Sequence, residues 1–382
     1  MERKFIKSVI LALSFAILLT FRCEGKAQAE GGDTIRDNNL QIELRTSWSF
    51  LICHHQVMNI FKSHFPIFEM SIQNVTYGSK TWHQLFNYPA VGVTVIYSGV
   101  GGMPEIGSIF GAYPHMSFNF LKSRKNMLNA RLGVGVGYAT KKWDAHDNPK
   151  NTFLGSHVNA LFSINLEYSR AVSRRTQLSL YTGMTHMSNA SSRCPNNGLN
   201  LWQFGLSGRY FLEQPKERLP LETVDNEQFK SWKNNNISWY VSFLYSIKDI
   251  DEYMGYGRHW SVYNLQLNVL KRVSQSSKIG GGIDLVYDMT DEAIMELKGT
   301  EYKQIEILKP GVNVAYELAL KSTSFLFNFG YHVGGKELSG GRIYQKLSLK
   351  QNISDHLFLA VGLTTHWGWA DYLGFGFGFK IN

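Results

Sequence analysis

The chain has 382 residues, a formal net charge of +9, 14% aromatic residues and 35 glycines. Past the N-terminus no apolar run is long enough for a membrane helix, and no block of Lys and Arg interleaved with aromatics points to nucleic acid. Many aromatics and glycines at slightly negative mean hydropathy fit a membrane β-barrel, where only alternate residues face lipid; a secreted soluble β-protein is the alternative.

At the N-terminus, Arg3, Lys4 and Lys7 precede an apolar run from Val9 to Phe21, and Ala27-Gln28-Ala29 follows as a cleavage site. That is a secretory signal peptide over residues 1–29, too short and wrongly flanked for a spanning helix. Arg22 before Cys23 argues against lipoprotein attachment. Its removal takes five basic and two acidic residues from the +9 chain and leaves +6, a surface suited to anionic lipid or polysaccharide. Cys53 and Cys194 remain, as one disulfide or two free thiols in an exported chain.

After a lead-in over 30–40, alternating segments predict strands at 41–53, 67–77, 90–98, 108–122, 128–140, 159–171, 176–189 and 199–212. A polar connector over 213–236, with two prolines, separates these from a second set at 237–250, 258–273, 278–289, 305–320, 323–333, 341–353, 357–367 and 370–381. Short polar turns follow most even-numbered strands, and the longer connections follow odd-numbered ones. That is the short periplasmic turn and long external loop of an antiparallel up-and-down outer-membrane barrel. Gly133, Gly135 and Gly137, and later Gly374, Gly376 and Gly378, form inward-facing small-residue rows. The expected closure is one barrel of about sixteen strands, since tandem barrels in one chain are rare. The alternative is two eight-stranded barrels in tandem, which a Cys53–Cys194 disulfide would favour, because those loops are neighbours only if strand 1 closes onto strand 8.

The stretch Gln177–Phe211 stands out. Leu178, Leu180, Thr182, Met184, His186 and Ser188 share one face of a strand, and Asn200, Trp202, Phe204, Leu206 and Tyr210 share one face of the next. A His, a Ser and an Asn thus end an otherwise apolar, lipid-facing stripe. His186 and Ser188 have Cα atoms about 6.5–7 Å apart, a gap an imidazole spans. A serine needs a base, and the base needs a third group to fix its tautomer, which Asn200 on the neighbouring strand can supply. Asn189, or backbone N–H groups after Ser188, can stabilise an oxyanion. Glu167 faces inward by parity and is a poor substitute for Asn200.

His186-Met187-Ser188-Asn189-Ala190, Pro195-Asn196-Asn197-Gly198 and Asn200 resemble the signature of the lipid A 3-O-deacylase (PagL-like, acyloxyacyl hydrolase) family, over roughly residues 41–212. The resemblance implies an outer-membrane barrel of a Gram-negative bacterium acting on lipid A or lipopolysaccharide in the outer leaflet. Ser188 would be the nucleophile, His186 the base and Asn189 an oxyanion-hole contributor. The reaction is ester hydrolysis through an acyl-serine, without a cofactor or metal. The family carries a glutamate where this chain has Asn200.

In the second half, residues 237–382, Gly362-Leu363-Thr364-Thr365-His366 echoes Gly183-Met184-Thr185-His186. One extra Thr turns His366 to the lumen unless a bulge intervenes, and Gly368 replaces the serine, so that copy is expected to be chemically empty. His54-His55 and the acidic loop Asp249, Asp251, Glu252 read as solvated loop residues, and Asp284 and Asp288 share a parity without a motif. The rival reading is a non-catalytic barrel, a pore or structural protein with a degenerate site, whose polar lumen would carry Asn165, Glu167, Gln203 and Arg209.

Overall fold

The structure, a computed structural model, describes residues 39–53, 56–79, 81–123, 125–219, 237–253, 258–274, 276–320 and 322–381. The signal peptide, most of the lead-in, His54-His55 and residues 220–236 of the connector lie outside these. The first set of strands is β1 (Leu40–Leu51), β2 (His64–Val75), β3 (Ala90–Ser98), β4 (Ile109–Lys122), β5 (Asn126–Ala139), β6 (Val158–Ala171), β7 (Thr176–Ser188) and β8 (Leu199–Phe211). The second is β9 (Ile237–Lys248), β10 (Trp260–Arg272), β11 (Ser277–Asp288), β12 (Leu308–Leu320), β13 (Thr323–His332), β14 (Ile343–Asn352), β15 (Leu357–His366) and β16 (Trp369–Ile381). Every expected segment is a strand. The ends move by three residues at most.

The closure is the alternative one. β1 pairs with both β2 and β8, running Gln41↔Phe211 to Leu51↔Leu201, and β9 pairs with both β10 and β16. Two closed eight-stranded antiparallel barrels result, in place of a single sixteen-stranded wall. Neither thiol is needed to hold this closure, since Cys53 and Cys194 are both free. Inward side chains supply the reason. An eight-stranded barrel is just wide enough for side chains to fill, whereas sixteen strands enclose water.

In the first barrel, Arg45, Arg131 and Arg209 interlock with Glu43, Glu69 and Glu167, three cations against three anions, all buried. Arg45 lies 2.8 Å from Glu69, Arg131 2.5 Å and Arg209 2.7 Å from Glu43, and Arg45 and Arg209 both bond Glu167. Gln203 donates to Asn165 at 3.1 Å and accepts from Ser47 at 3.0 Å. The four residues that suited a pore are therefore packed against partners. Tyr113 fills the remaining space: a Cβ on Gly133 would sit 2.3 Å from its ring, so only glycine fits there. On the outside, Leu44, Phe68, Val95, Leu166, Leu180 and Leu206 are exposed, as a lipid-facing wall requires.

The second barrel repeats this construction with different residues. Asp284 takes Lys346 at 2.5 Å, Tyr344 at 2.5 Å and Asn313 at 2.7 Å. Glu317 takes Lys350 at 2.6 Å and Lys278 at 3.1 Å. Again a tyrosine occupies the space a glycine leaves, the ring of Tyr344 lying 2.1 Å from where a Cβ of Gly330 would be. Among the described residues two short α-helices lie in the connections, α1 (Thr81–Leu85) and α2 (Met289–Leu297). Residues 290–304 were expected to be plain loop. Asp288 caps α2 by accepting from the Thr290 N–H at 2.9 Å, and Asp291 and Glu292 occupy its first turn, where the helix dipole favours acids. Asp288 also pairs with Lys248 at 2.9 Å. The two aspartates without a motif thus anchor the lumen and the cap of one end of this barrel.

Candidate active site on the outer wall of the first barrel

β7 alternates as expected. Ser179, Tyr181, Gly183, Thr185 and Met187 face in, and Leu178, Leu180, Thr182, Met184, His186 and Ser188 face out. On β8, Leu201, Gln203, Ser207 and Arg209 face in, and Asn200, Trp202, Phe204 and Tyr210 face out. The β7–β8 register sets His186 directly opposite Asn200, so their side chains meet on the outer face.

Three side chains form a hydrogen-bonded series there. His186 Nδ1 lies 2.7 Å from Asn200 Oδ1, and His186 Nε2 lies 2.9 Å from Ser188 Oγ. A carboxamide oxygen only accepts, so Nδ1 carries the proton and donates to Asn200. Nε2 is then the acceptor, and the Ser188 hydroxyl donates to it. The imidazole is held in the tautomer a general base needs. Ser188 is only 7% exposed, and His186 is half-buried.

Asn189 lies beside Ser188, but its backbone N–H is already engaged, donating to Asn196 Oδ1 at 2.9 Å. Its side-chain amide donates to Ser156 Oγ at 3.0 Å. For the Asn189 N–H to serve an oxyanion it must exchange Asn196 for the substrate oxygen. Ser156 and Asn196 therefore belong to the surroundings of the site, and neither was given a role from sequence. Asn196 stands in the Pro195-Asn196-Asn197-Gly198 run, which was a usable signal; Ser156, some 30 residues earlier in the β5–β6 loop, left none.

Gly198 explains the glycine of that run. Its φ is +73°, and a Cβ there would lie 2.7 Å from His186 Cε1 and 3.2 Å from the Met187 carbonyl oxygen. The turn thus lays bare backbone against the imidazole edge. It is tied to the β5–β6 loop by Gly198 N–H donating to the Phe153 carbonyl at 2.9 Å.

The remaining candidates fall elsewhere. Glu167 is in the lumen ion network, on the other side of the wall from His186. His366 of the echo in the second barrel turns inward, its Nδ1 2.8 Å from the Ile343 carbonyl oxygen and its Nε2 3.4 Å from Asp371. The bulge lies on β16, where Asp371 is the extra residue, so it does not turn His366 outward. Asp249 departs from the solvated reading: it is buried, with Oδ1 accepting from the Ile250 N–H at 2.9 Å. Among the described residues no group of three or more His, Cys, Asp or Glu is arranged to hold a metal ion.

Known proteins resemble both halves. Residues 68–209 match the family model described as lipid A 3-O-deacylase (PagL), and residues 237–382 match that of the acyloxyacyl hydrolase C-terminal domain. Among solved structures the chain is similar to Neisserial surface protein A, at 10% identity over 46% of this chain and 97% of that one, with a TM-score of 0.32. It is also similar to a Rh. blastica porin mutant, at 8% identity over 90% of this chain and 99% of that one, with a TM-score of 0.18. CdiB from Acinetobacter baumannii is similar at 9% identity over 90% of this chain and 60% of that one, with a TM-score of 0.18. No curated protein matches the chain. With one family model on each barrel, the chain belongs to the PagL-like lipid A 3-O-deacylase and acyloxyacyl hydrolase family.

Proposed function

We propose that the first barrel is a serine esterase that removes an ester-linked acyl chain from lipid A in the outer leaflet of a Gram-negative outer membrane. The observation that carries this is the series Ser188–His186–Asn200 on a lipid-facing wall. A hydrolase for a soluble ester has no use for a nucleophile on that face. One whose substrate is itself a bilayer lipid meets its ester there.

Ser188 Oγ attacks the acyl carbonyl carbon as its proton passes to His186 Nε2. The tetrahedral oxyanion takes hydrogen bonds from Asn189 once its N–H leaves Asn196. Collapse breaks the acyl carbon–oxygen bond, and His186 returns the proton to the sugar oxygen. Water, with His186 again as base, releases the fatty acid and restores Ser188. No cofactor enters. Mass spectrometry of lipid A from cells with and without the full-length protein tests this. Loss of one hydroxyacyl chain, together with labelling of Ser188 by a serine-directed fluorophosphonate, is the expected result. Unchanged lipid A with the protein folded in the outer membrane would leave a barrel without chemistry.

Asn200 holds the imidazole but offers no negative charge to the imidazolium that forms in the transition state. Asn200→Asp, close to isosteric, is therefore expected to raise kcat about tenfold or more with KM little changed. A fall in kcat would mean that the amide is the preferred partner. Gly198→Ala pushes a methyl group into His186 Cε1 at a positive φ, and a displacement of about 1 Å costs on the order of 100-fold in kcat. Activity within about threefold of wild type would show that the turn yields instead of the ring.

A further inference from the structure

The opposite end of the first barrel carries a cluster of cations that the esterase reading does not use. Lys125 lies in the β4–β5 turn, Arg170 near the end of β6, and Arg174 and Arg175 in the β6–β7 turn. The chain holds these turns side by side: Arg170 pairs across to Asn126, the Ala171 N–H donates to the Lys125 carbonyl at 2.8 Å, and the Phe211 N–H donates to the Arg175 carbonyl at 2.9 Å. Lys125, Arg170 and Arg174 are exposed, and among the described residues no acidic side chain pairs with any of the four. In the lumen of the same barrel every arginine has a carboxylate. These four therefore hold positive charge at the rim with no internal partner.

The placement of Arg170 on the wall selects the kind of anion. Arg170 continues the outward-facing column Ile164, Leu166, Tyr168, so its side chain leaves the barrel on the lipid side, directly beyond the tyrosine. Tyr168 donates its hydroxyl to Asn126 Oδ1 at 3.0 Å, and Val172, Tyr210 and Leu212 are exposed beside it. An apolar band, then aromatic hydroxyls, then unpaired guanidinium groups is the order in which a leaflet presents acyl chains, glycerol and phosphate. A rim built for a soluble polyanion would have no reason to carry its arginine on the wall face.

We propose that this rim binds anionic phospholipid headgroups of the leaflet opposite the one that holds the proposed substrate, with Arg170, Arg174 and Arg175 engaging the phosphodiester. A guanidinium fork matches two phosphate oxygens, and the low, crowded interface strengthens that pairing. The short-turn end is the periplasmic end of such barrels, so the leaflet is the inner one. The inference rests on the barrel and its rim, not on the chemistry at Ser188.

The test counts lipids retained by full-length protein in detergent micelles, by native mass spectrometry, with phosphatidylglycerol or phosphatidylcholine supplied at equal concentration. Wild type is expected to retain phosphatidylglycerol preferentially. Arg170→Gln with Arg174→Gln and Arg175→Gln is expected to weaken that retention on the order of 100-fold, and Arg170→Gln alone by about fivefold if the triple variant does not fold. Heat-modifiable gel mobility reports folding, and fatty-acid release by the variants stays at the wild-type level, so a failure here is separable from a failure of the esterase reading. Equal retention of the two lipids by wild type, or unchanged retention by the variants, overturns the proposal. So does displacement of phosphatidylglycerol by soluble polyphosphate at matched phosphate concentration, which would identify a polyanion as the partner.

Discussion

Ser188→Ala is expected to lower kcat for lipid A deacylation by a factor on the order of a million, to the level of oxyanion stabilisation and binding alone. The Ser188 hydroxyl is the proposed nucleophile, and His186 Nε2, 2.9 Å away, is placed to take its proton. His186→Ala is expected to cost about as much, and the double variant little more, because residues acting as one unit lose their effect together. Substrate binding should change little, since the proposed acyl substrate would gain its apolar contact from the wall and not from the hydroxyl. Released fatty acid measured against purified lipopolysaccharide in micelles checks each of these. Retention of a tenth or more of wild-type kcat in Ser188→Ala would mean that another group attacks the ester.

The second large effect concerns the lumen. Glu43→Ala is expected to destabilise the first barrel by roughly 3–5 kcal/mol, because Arg131 and Arg209 lose their shared carboxylate while remaining buried. Urea unfolding in micelles, followed by tryptophan fluorescence, reads this as a lower midpoint at constant slope. Glu43→Ala combined with Arg131→Met restores the charge balance and is expected to recover more than half of the loss. If the single variant shifts stability by less than about 1 kcal/mol, water enters the lumen and solvates the freed arginines. That result would also return the first barrel to consideration as a pore.

The two expectations draw on different kinds of information. The Ser188 effect was legible from local pattern. Strand parity put His186, Ser188 and Asn200 on the apolar face, and the structure keeps all three there with the strand register unbroken from Leu178 to Ser188. The Glu43 effect was not legible. Parity shows that Glu43 and Arg131 point inward, but their meeting requires strands 88 residues apart to face across one narrow lumen. α2 falls in what the alternation leaves as a connection between two strands, although Asp288 followed by Asp291 and Glu292 is what a helix N-terminus selects.

The sequence by itself determined the strands, their inward and outward faces, the end at which loops are long, and the outward His–Ser–Asn stripe. The strands and faces follow from a period of two, which is a property of the backbone and does not depend on what lies across the sheet, and the loop ends follow from the lengths of the connections. Only the tertiary structure decided that β1 closes on β8 and β9 on β16, that three arginines and three glutamates fill the first lumen, and that Ser156, Asn196 and Gly198 surround the Ser188–His186–Asn200 series. Closure is a choice between neighbours that the alternation cannot distinguish. It is made by volume and charge inside the wall, where eight strands let buried ion pairs meet and sixteen would hold them apart in water.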